Sequence, residues 1–142
     1  MKCETPTEST GPSGEAKHDF SWLADLKSCP PPDAQPIDGT FYVFHDFDPP
    51  STEADFRTAA QRGQFESLDE CARRSNSVWS DLAALKGRVA DLKKRYPLRP
   101  FYISEGHVKK EHGVVKDSDK SHCSFWVCGR TCMHAIFKRR VV

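Results

Sequence analysis

The chain has 142 residues, 37% of them apolar, and a formal net charge of +1, which fits one domain of ordinary size. Nine Phe and three Trp are enough for a hydrophobic core without a structural metal or disulfides. No apolar run reaches the length of about 18 residues that a membrane span needs, and the N-terminus lacks the apolar centre of a secretion signal. We therefore expect no membrane partner, a cytoplasmic location and reduced thiols at the six cysteines.

The first 36 residues are predicted to form a flexible tail that precedes the domain. Residues 1–19 are rich in Ser, Thr, Pro, Gly and Glu, so few apolar groups offset the entropy lost on ordering. Phe20, Leu23 and Leu26 recur at helical spacing and predict a short amphipathic turn or helix. Four prolines between residues 30 and 36 then interrupt regular structure. The domain itself is expected over residues 37–142.

The predicted elements of the domain alternate at first and end in a series of strands. β-Branched and aromatic residues predict a strand over 40–47, and Ser and acidic residues at their starts predict helices over 51–63 and 67–75. A short extended piece at 76–79 leads to the longest helix, over 80–97, in which Leu82, Leu85, Val89 and Leu92 form one apolar face. Further strands are predicted over 100–108, 114–115, 122–127 and 134–142. This order predicts an α+β fold with a mostly antiparallel sheet and two or three helices on one side.

The charges are distributed unevenly along the chain. Residues 1–85 hold 7 Lys and Arg against 15 Asp and Glu, whereas residues 86–142 hold 14 against 5. A basic half with interleaved aromatic residues is typical of a surface that neutralises phosphates and stacks bases, whereas two halves that neutralise each other would give the same count. A nucleic-acid partner is one hypothesis. The residues that would carry it are Lys93, Lys94, Arg95, Arg99, Lys138, Arg139 and Arg140.

The stretch SHCSFWVCGRTCMH at residues 121–134 combines cysteines and histidines. Cys123, Cys128, Cys132 and His134 have spacings that zinc ligands use, but they are crowded into twelve residues without a segment that lets the chain wrap a tetrahedral ion. Alternation of side chains along a strand explains the pattern more simply: Cys123 then faces one side with Phe125. We therefore favour a β-hairpin without bound metal over a zinc site or a redox thiol pair.

Four short motifs resemble those of a family of small bacterial proteins whose activity is not settled. The motifs here are NSVW, YISEGHV, KEHGVVK and SHCSFW, and the family shows S-V-F/W, I-A-x-G, P-E-H-G-x-I-K and S-H-H-x-W-W. The resemblance covers about residues 40–127 and implies kinship and fold rather than a reaction. Cys123 and Phe125 depart from it, since the family has His and Trp there.

Four residues are candidates for a catalytic site. His45 ends an apolar strand, Ser77 precedes the long helix, and Glu105 shares a strand face with His107. His122 opens a strand in one of the family motifs and is the best single candidate. An imidazole and a carboxylate at such positions can act as an acid/base pair, and each of these residues can equally be a packing or surface group.

The order of strand, Ser-containing piece, helix and acidic strand also resembles the layout of ADP-ribosyltransferase-like folds. That resemblance implies that His45 and Ser77 hold the nicotinamide ribose and phosphate of NAD, while Glu105 orients the acceptor. NAD is then the cofactor, and no cofactor is expected otherwise. Motifs of serine hydrolases, P-loop NTPases, Rossmann dehydrogenases and zincins are absent. We slightly favour an interaction or regulatory protein, which needs a protein partner and no catalytic residue.

Overall fold

The computed structural model describes residues 19–45, 58, 69–119, 121–129 and 131–142. The helix predicted over 51–63 and the tail before residue 19 lie outside the described residues, apart from Thr58, which is buried. The described helices are α1 (Glu70–Arg73), α2 (Leu82–Arg95) and α3 (Met133–Ile136), with 3-10 turns at Ser21–Leu23 and Lys110–His112. None of these helices has the length and apolar composition needed to cross a membrane.

Six antiparallel strands form one sheet, in the order β4-β5-β2-β1-β3-β6. The strands are β1 (Gly39–His45), β2 (Asn76–Trp79), β3 (Tyr102–Val108), β4 (Gly113–Asp119), β5 (His122–Val127) and β6 (Arg139–Arg140). The antiparallel sheet with three helices confirms the α+β prediction. Because paired residues of neighbouring strands point to the same side, the registers assign every side chain to one of two faces.

The face that carries α3, called the α3 face here, holds the larger apolar cluster. Phe41 and Val43 of β1 pack there with Cys123 and Phe125 of β5 and with Phe137, which follows α3. The close approach of α3 requires Gly106 on β3, since a Cβ atom at this position would lie 2.7 Å from the carbonyl oxygen of Ile136. Each fully buried large apolar side chain contributes about 1.5–3 kcal/mol to folding.

The opposite face, called the α2 face, is covered by α2 over the half of the sheet that contains β1 and β3. Asp81 caps the helix by accepting hydrogen bonds from the amides of Ala83 and Ala84. Leu85 and Val89 are buried against a cluster of aromatic and apolar residues of the strands. The apolar face predicted for this helix is therefore the face that packs against the sheet. α2 and α3 lie on opposite faces, so the helices are not confined to one side of the sheet.

Residues 20–34 cover the other half of the α2 face and are not a flexible tail. Leu23 is fully buried against Trp126 and Cys71, and the indole Nε1 of Trp126 donates to the carbonyl of Cys71 at 2.9 Å. Cys29 and Cys71 form a disulfide, which joins this segment to α1. The expectation of reduced cysteines is wrong for this pair, because the fold brings together two residues that are 42 positions apart in sequence.

The C-terminal region differs from the prediction. β5 pairs with β2 and β4, whereas β6 pairs with β3 at the far edge of the sheet, so residues 121–140 do not form a hairpin. Within 134–142 the chain first forms α3 and then a strand of only two residues. The alternation predicted for β5 is confirmed, since Cys123 and Phe125 pack on the α3 face while His122 pairs with Trp79 on the α2 face.

Candidate functional site

His45 lies at the end of β1 on the α3 face and is almost completely buried. Its Nε2 atom is 2.7 Å from Oγ of Ser104 on the neighbouring strand, and Ser104 is fully buried. The imidazole stacks on the ring of Tyr102 at a centroid distance of 6.0 Å. A His–Ser pair can activate a hydroxyl when a substrate reaches it. Here both partners are enclosed, so the contact holds β1 and β3 together in the interior.

Ser77 and His122 lie on the α2 face of the sheet. Ser77 is exposed and pairs with Ser124, while His122 pairs with Trp79 and meets its ring edge-on at 4.9 Å. The Nδ1 atom of His122 is hydrogen-bonded to the hydroxyl of Ser118, across the bulge between β4 and β5. These contacts fix the imidazole near the surface, on the same face as Trp79.

Glu105 and His107 share the α2 face of β3, as alternation predicts, but they bind different partners. The Oε1 atom of Glu105 is 3.8 Å from the guanidinium of Arg139 on β6. The Nε2 atom of His107 is 2.6 Å from the carboxylate of Asp38. Both contacts are at the surface, where such pairs contribute about 0–1 kcal/mol. The two side chains therefore do not form an acid/base pair with each other.

The four predicted site residues do not converge. His45 lies on the α3 face, whereas Ser77, Glu105 and His122 lie on the α2 face. Tyr42 pairs with Glu105 and with Trp79, so these residues share one face, and Trp79 in turn pairs with His122. His45 is three residues from Tyr42 along β1 and therefore points to the other face. Glu105 and His122 are separated by three strand spacings, about 14 Å. The layout that would surround a nicotinamide is therefore not supported by the geometry.

The cysteines of the 121–134 stretch are in different chemical states. Cys123 and Cys128 are buried free thiols, and Cys132 is disulfide-bonded. Burial, together with a hydrogen bond to the Asp117 carboxylate at 3.2 Å and the charge of that group, raises the pKa of Cys123 to about 12. Burial also raises the pKa of Cys128. Both thiols therefore stay protonated at neutral pH and are poor nucleophiles.

No metal centre is assembled in the described part of the chain. There, no three His, Cys, Asp or Glu side chains are grouped as ligands for an ion. His134 is half-buried on α3, and its Nδ1 atom has no hydrogen-bond partner among the described residues. Since Cys132 is oxidised, it does not offer the thiolate that a zinc site would need.

The structure does bring together a different set of predicted residues, at the sheet edge formed by β6. Glu105 pairs with Arg139 and Ser104 pairs with Arg140, while Leu92 in the last turn of α2 and Val141 after β6 pack against the same apolar cluster. The C-terminal end of α2, the loop after it and β6 therefore meet at one edge. We call this surface the basic edge. It consists of Lys93, Lys94, Arg95, Arg99, Lys138, Arg139 and Arg140, all exposed.

Aromatic rings lie among these cations. The guanidinium carbon of Arg99 is 6.0 Å from the ring centre of Tyr96 and 5.8 Å from that of Phe101. The guanidinium carbon of Arg140 lies 5.3 Å from the ring centre of Tyr102. These distances are those of cation–π contacts. The sequence placed the cations and rings in one basic half, but not Ser104 beside His45 or β6 beside β3, because pairing between distant strands has no signal in either segment alone.

Comparisons with known protein families, with curated proteins and with solved structures find no match to this chain. The resemblance to a bacterial family therefore stays a prediction.

Proposed function

We propose that the protein is a binding module that holds the phosphate groups of nucleic acid along the basic edge. One observation carries this proposal: two basic segments about forty positions apart in sequence, 93–99 and 138–140, meet at a single edge of the sheet. An ordinary solvated surface can carry several charges within one segment, as the three cations at the end of α2 do. The meeting of two such segments concentrates positive potential where a polyanion can contact both.

For five of the seven cations of the basic edge, compensation by acidic side chains of the described residues is weak or absent. Within the described ranges, Lys93, Lys94, Arg95 and Lys138 have no ion pair, and Arg139 contacts Glu105 only at 3.8 Å. Repulsion between such neighbours costs folding free energy, and a bound phosphate chain would remove that cost. Neutralising phosphates also releases counterions, which provides most of the affinity of non-specific nucleic-acid binding at low salt.

This proposal agrees with the expectation of an interaction protein and specifies that its partner carries phosphate groups. The expectation of a protein partner stays a prediction, and an acidic protein would be the competing ligand for the same surface. An NAD-dependent reaction is not proposed, because His45 is on the other face of the sheet from Ser77 and Glu105. For the compartment, the Cys29–Cys71 disulfide favours an oxidising environment over the cytoplasm expected from the sequence.

The test is a binding titration by fluorescence anisotropy with a labelled oligouridine, repeated over a salt series. We expect the logarithm of the affinity to fall linearly with the logarithm of salt concentration, with a slope of about −0.7 per neutralised phosphate. The variant Lys94→Gln/Lys138→Gln, with one change in each segment, should reduce the magnitude of that slope by about 1.4. Its matched control is Lys27→Gln/Lys86→Gln, which removes two exposed lysines away from the basic edge.

The control variant should bind as the wild type does. Equal losses in both variants would mean that net charge alone governs binding, and the assignment to the basic edge would be wrong. No binding at low salt would reject nucleic acid as the ligand altogether.

A further inference from the structure

We infer that the nucleic acid bound at the basic edge is single-stranded, and that an unpaired base stacks on Tyr96. This inference rests on the proposed function and adds the form of the ligand and a residue that contacts its bases. It begins from the loop between α2 and β3, which presents apolar surface in the middle of the cations.

The loop is short and locally constrained. Tyr96 follows the last residue of α2, and its amide donates to the carbonyl of Leu92 at 2.8 Å. The amide of Arg99 donates back to the carbonyl of Tyr96 at 3.1 Å, which closes a turn around Pro97 and Leu98. Because Pro97 and Pro100 fix two of the backbone φ angles, little entropy is lost when a ligand binds to this turn.

The tip of the loop is unusually exposed for its composition. The side chain of Leu98 is 99% exposed and that of Tyr96 is 48% exposed, and these are two of the three large apolar side chains that the described part leaves open to solvent. The Tyr96 ring therefore offers uncovered area for stacking. Arg99 lies between this ring and the buried ring of Phe101, so the guanidinium is held in place beside the stacking site.

The geometry favours single strands over duplex. Bases of a duplex are covered by their own stacking, and a protein reads them by inserting a helix or a two-stranded ribbon into a groove. Among the residues that the structure describes, the regular elements of the basic edge are the two-residue β6 and the end of one helix. A flexible single strand can instead follow a line of cations and turn its bases toward aromatic rings. Tyr102, which contacts Arg140, gives a second and less exposed ring at the same edge, on the α3 face of the sheet.

An anionic membrane would also present phosphates to the cations, and Leu98 could enter its apolar layer. Nucleic acid is favoured here because each aromatic ring at the edge is paired with an arginine, which suits a flat base more than a lipid chain. The two ligands give different results in the same set of measurements.

The experiment compares three probes by anisotropy or competition: labelled single-stranded oligouridine, a duplex of equal length, and inorganic polyphosphate, which has no bases. We expect Tyr96→Ala to weaken oligouridine binding by at least about fivefold, the lower end of measured base–aromatic stacking. Tyr96→Phe keeps the ring and should bind as the wild type does. Polyphosphate affinity should be the same for all three proteins, and thermal unfolding should show that each variant is folded.

Two outcomes separate this inference from the proposed function. If Tyr96→Ala binds oligouridine as tightly as the wild type, or if duplex and polyphosphate bind as tightly as the single strand, base stacking is rejected while phosphate binding stands. If none of the three probes binds, both proposals fall. Sedimentation with phosphatidylcholine–phosphatidylserine vesicles that is lost in Leu98→Ser, without oligouridine binding, would assign the edge to a membrane instead.

Discussion

At one edge of the sheet, β4 exchanges two backbone hydrogen bonds with Gln35, and Lys116 reaches Asp33 at 3.3 Å. At the other edge, β6 has two residues, both arginine, and among the described residues no further strand covers it. Unpaired strand edges invite association with another chain, and proteins protect them either by covering them or by charging them. This sheet uses cover at the β4 edge and charge at the β6 edge, which explains how one edge can be available to a ligand.

The largest expected effect comes from the covered edge. Replacing both Cys29 and Cys71 by Ser removes the disulfide that joins the covering segment to α1, and should lower the free energy of unfolding by about 2–4 kcal/mol. Urea unfolding under non-reducing conditions measures this difference. Affinity for oligouridine should be unchanged, because the basic edge is at the opposite edge of the sheet. Alkylation of Cys29 in the native protein, or equal stability of variant and wild type, would contradict the prediction.

A smaller effect concerns the turn that leads into β4. The amide of Lys109 donates to Nδ1 of His112 at 2.9 Å, and burial lowers the pKa of His112 in the folded protein below its usual value near 6.5. The unfolded chain therefore binds the proton more readily. Stability should be complete above about pH 6.5 and should decrease as the pH falls through the folded pKa.

The effect of His112 is isolated by comparison with His112→Asn at each pH. The difference in unfolding free energy between the two proteins should shrink toward acidic pH, with an upper size of about 0.5–1.5 kcal/mol for one hydrogen bond. A difference that stays constant from pH 8 to pH 5 would show that protonation of His112 is not linked to folding.

The smallest effect is expected for the ion pair of the covered edge. Both Lys116 and Asp33 are substantially exposed, so a double-mutant cycle with Lys116→Ala and Asp33→Ala should give a coupling below about 1 kcal/mol that disappears in high salt. A coupling that survives high salt would indicate that this pair, rather than the backbone bonds to Gln35, holds the cover in place.

The positions of strands and helices can be predicted from the sequence more accurately than the pairing between strands. The run of aromatic and β-branched residues from Phe41 to Phe44 marks β1 by composition, and the repeat from Leu82 to Leu92 marks α2, because these signals are local. The face on which His45 lies depends on the register of β1 with β3 and β2, which neither strand encodes alone. The order of residues in the chain therefore groups Ser77 and Glu105 with His45, whereas the strand registers place His45 on the opposite face of the sheet.

Two further differences have the same origin. The apolar residues Met133 and Ile136 suit a strand or a short helix equally, and in the structure they form a helix that packs closely against Gly106 on β3. The pairing of Cys29 with Cys71 depends on how residues 20–34 pack on Trp126, which no spacing rule gives. The seven cations lie in one half of the sequence, but only the pairing of β6 with β3 shows that they share an edge.

The strand order also determines when this chain can fold. β1 is bonded to β2 and to β3, which begins at Tyr102, and β2 needs β5, which begins at His122. During synthesis, β1 must therefore wait until β3 has left the ribosome before its pairing is complete. Closing such long loops is entropically costly, so we expect refolding to be slow for a domain of this size and the early chain to depend on its own solubility until β5 emerges.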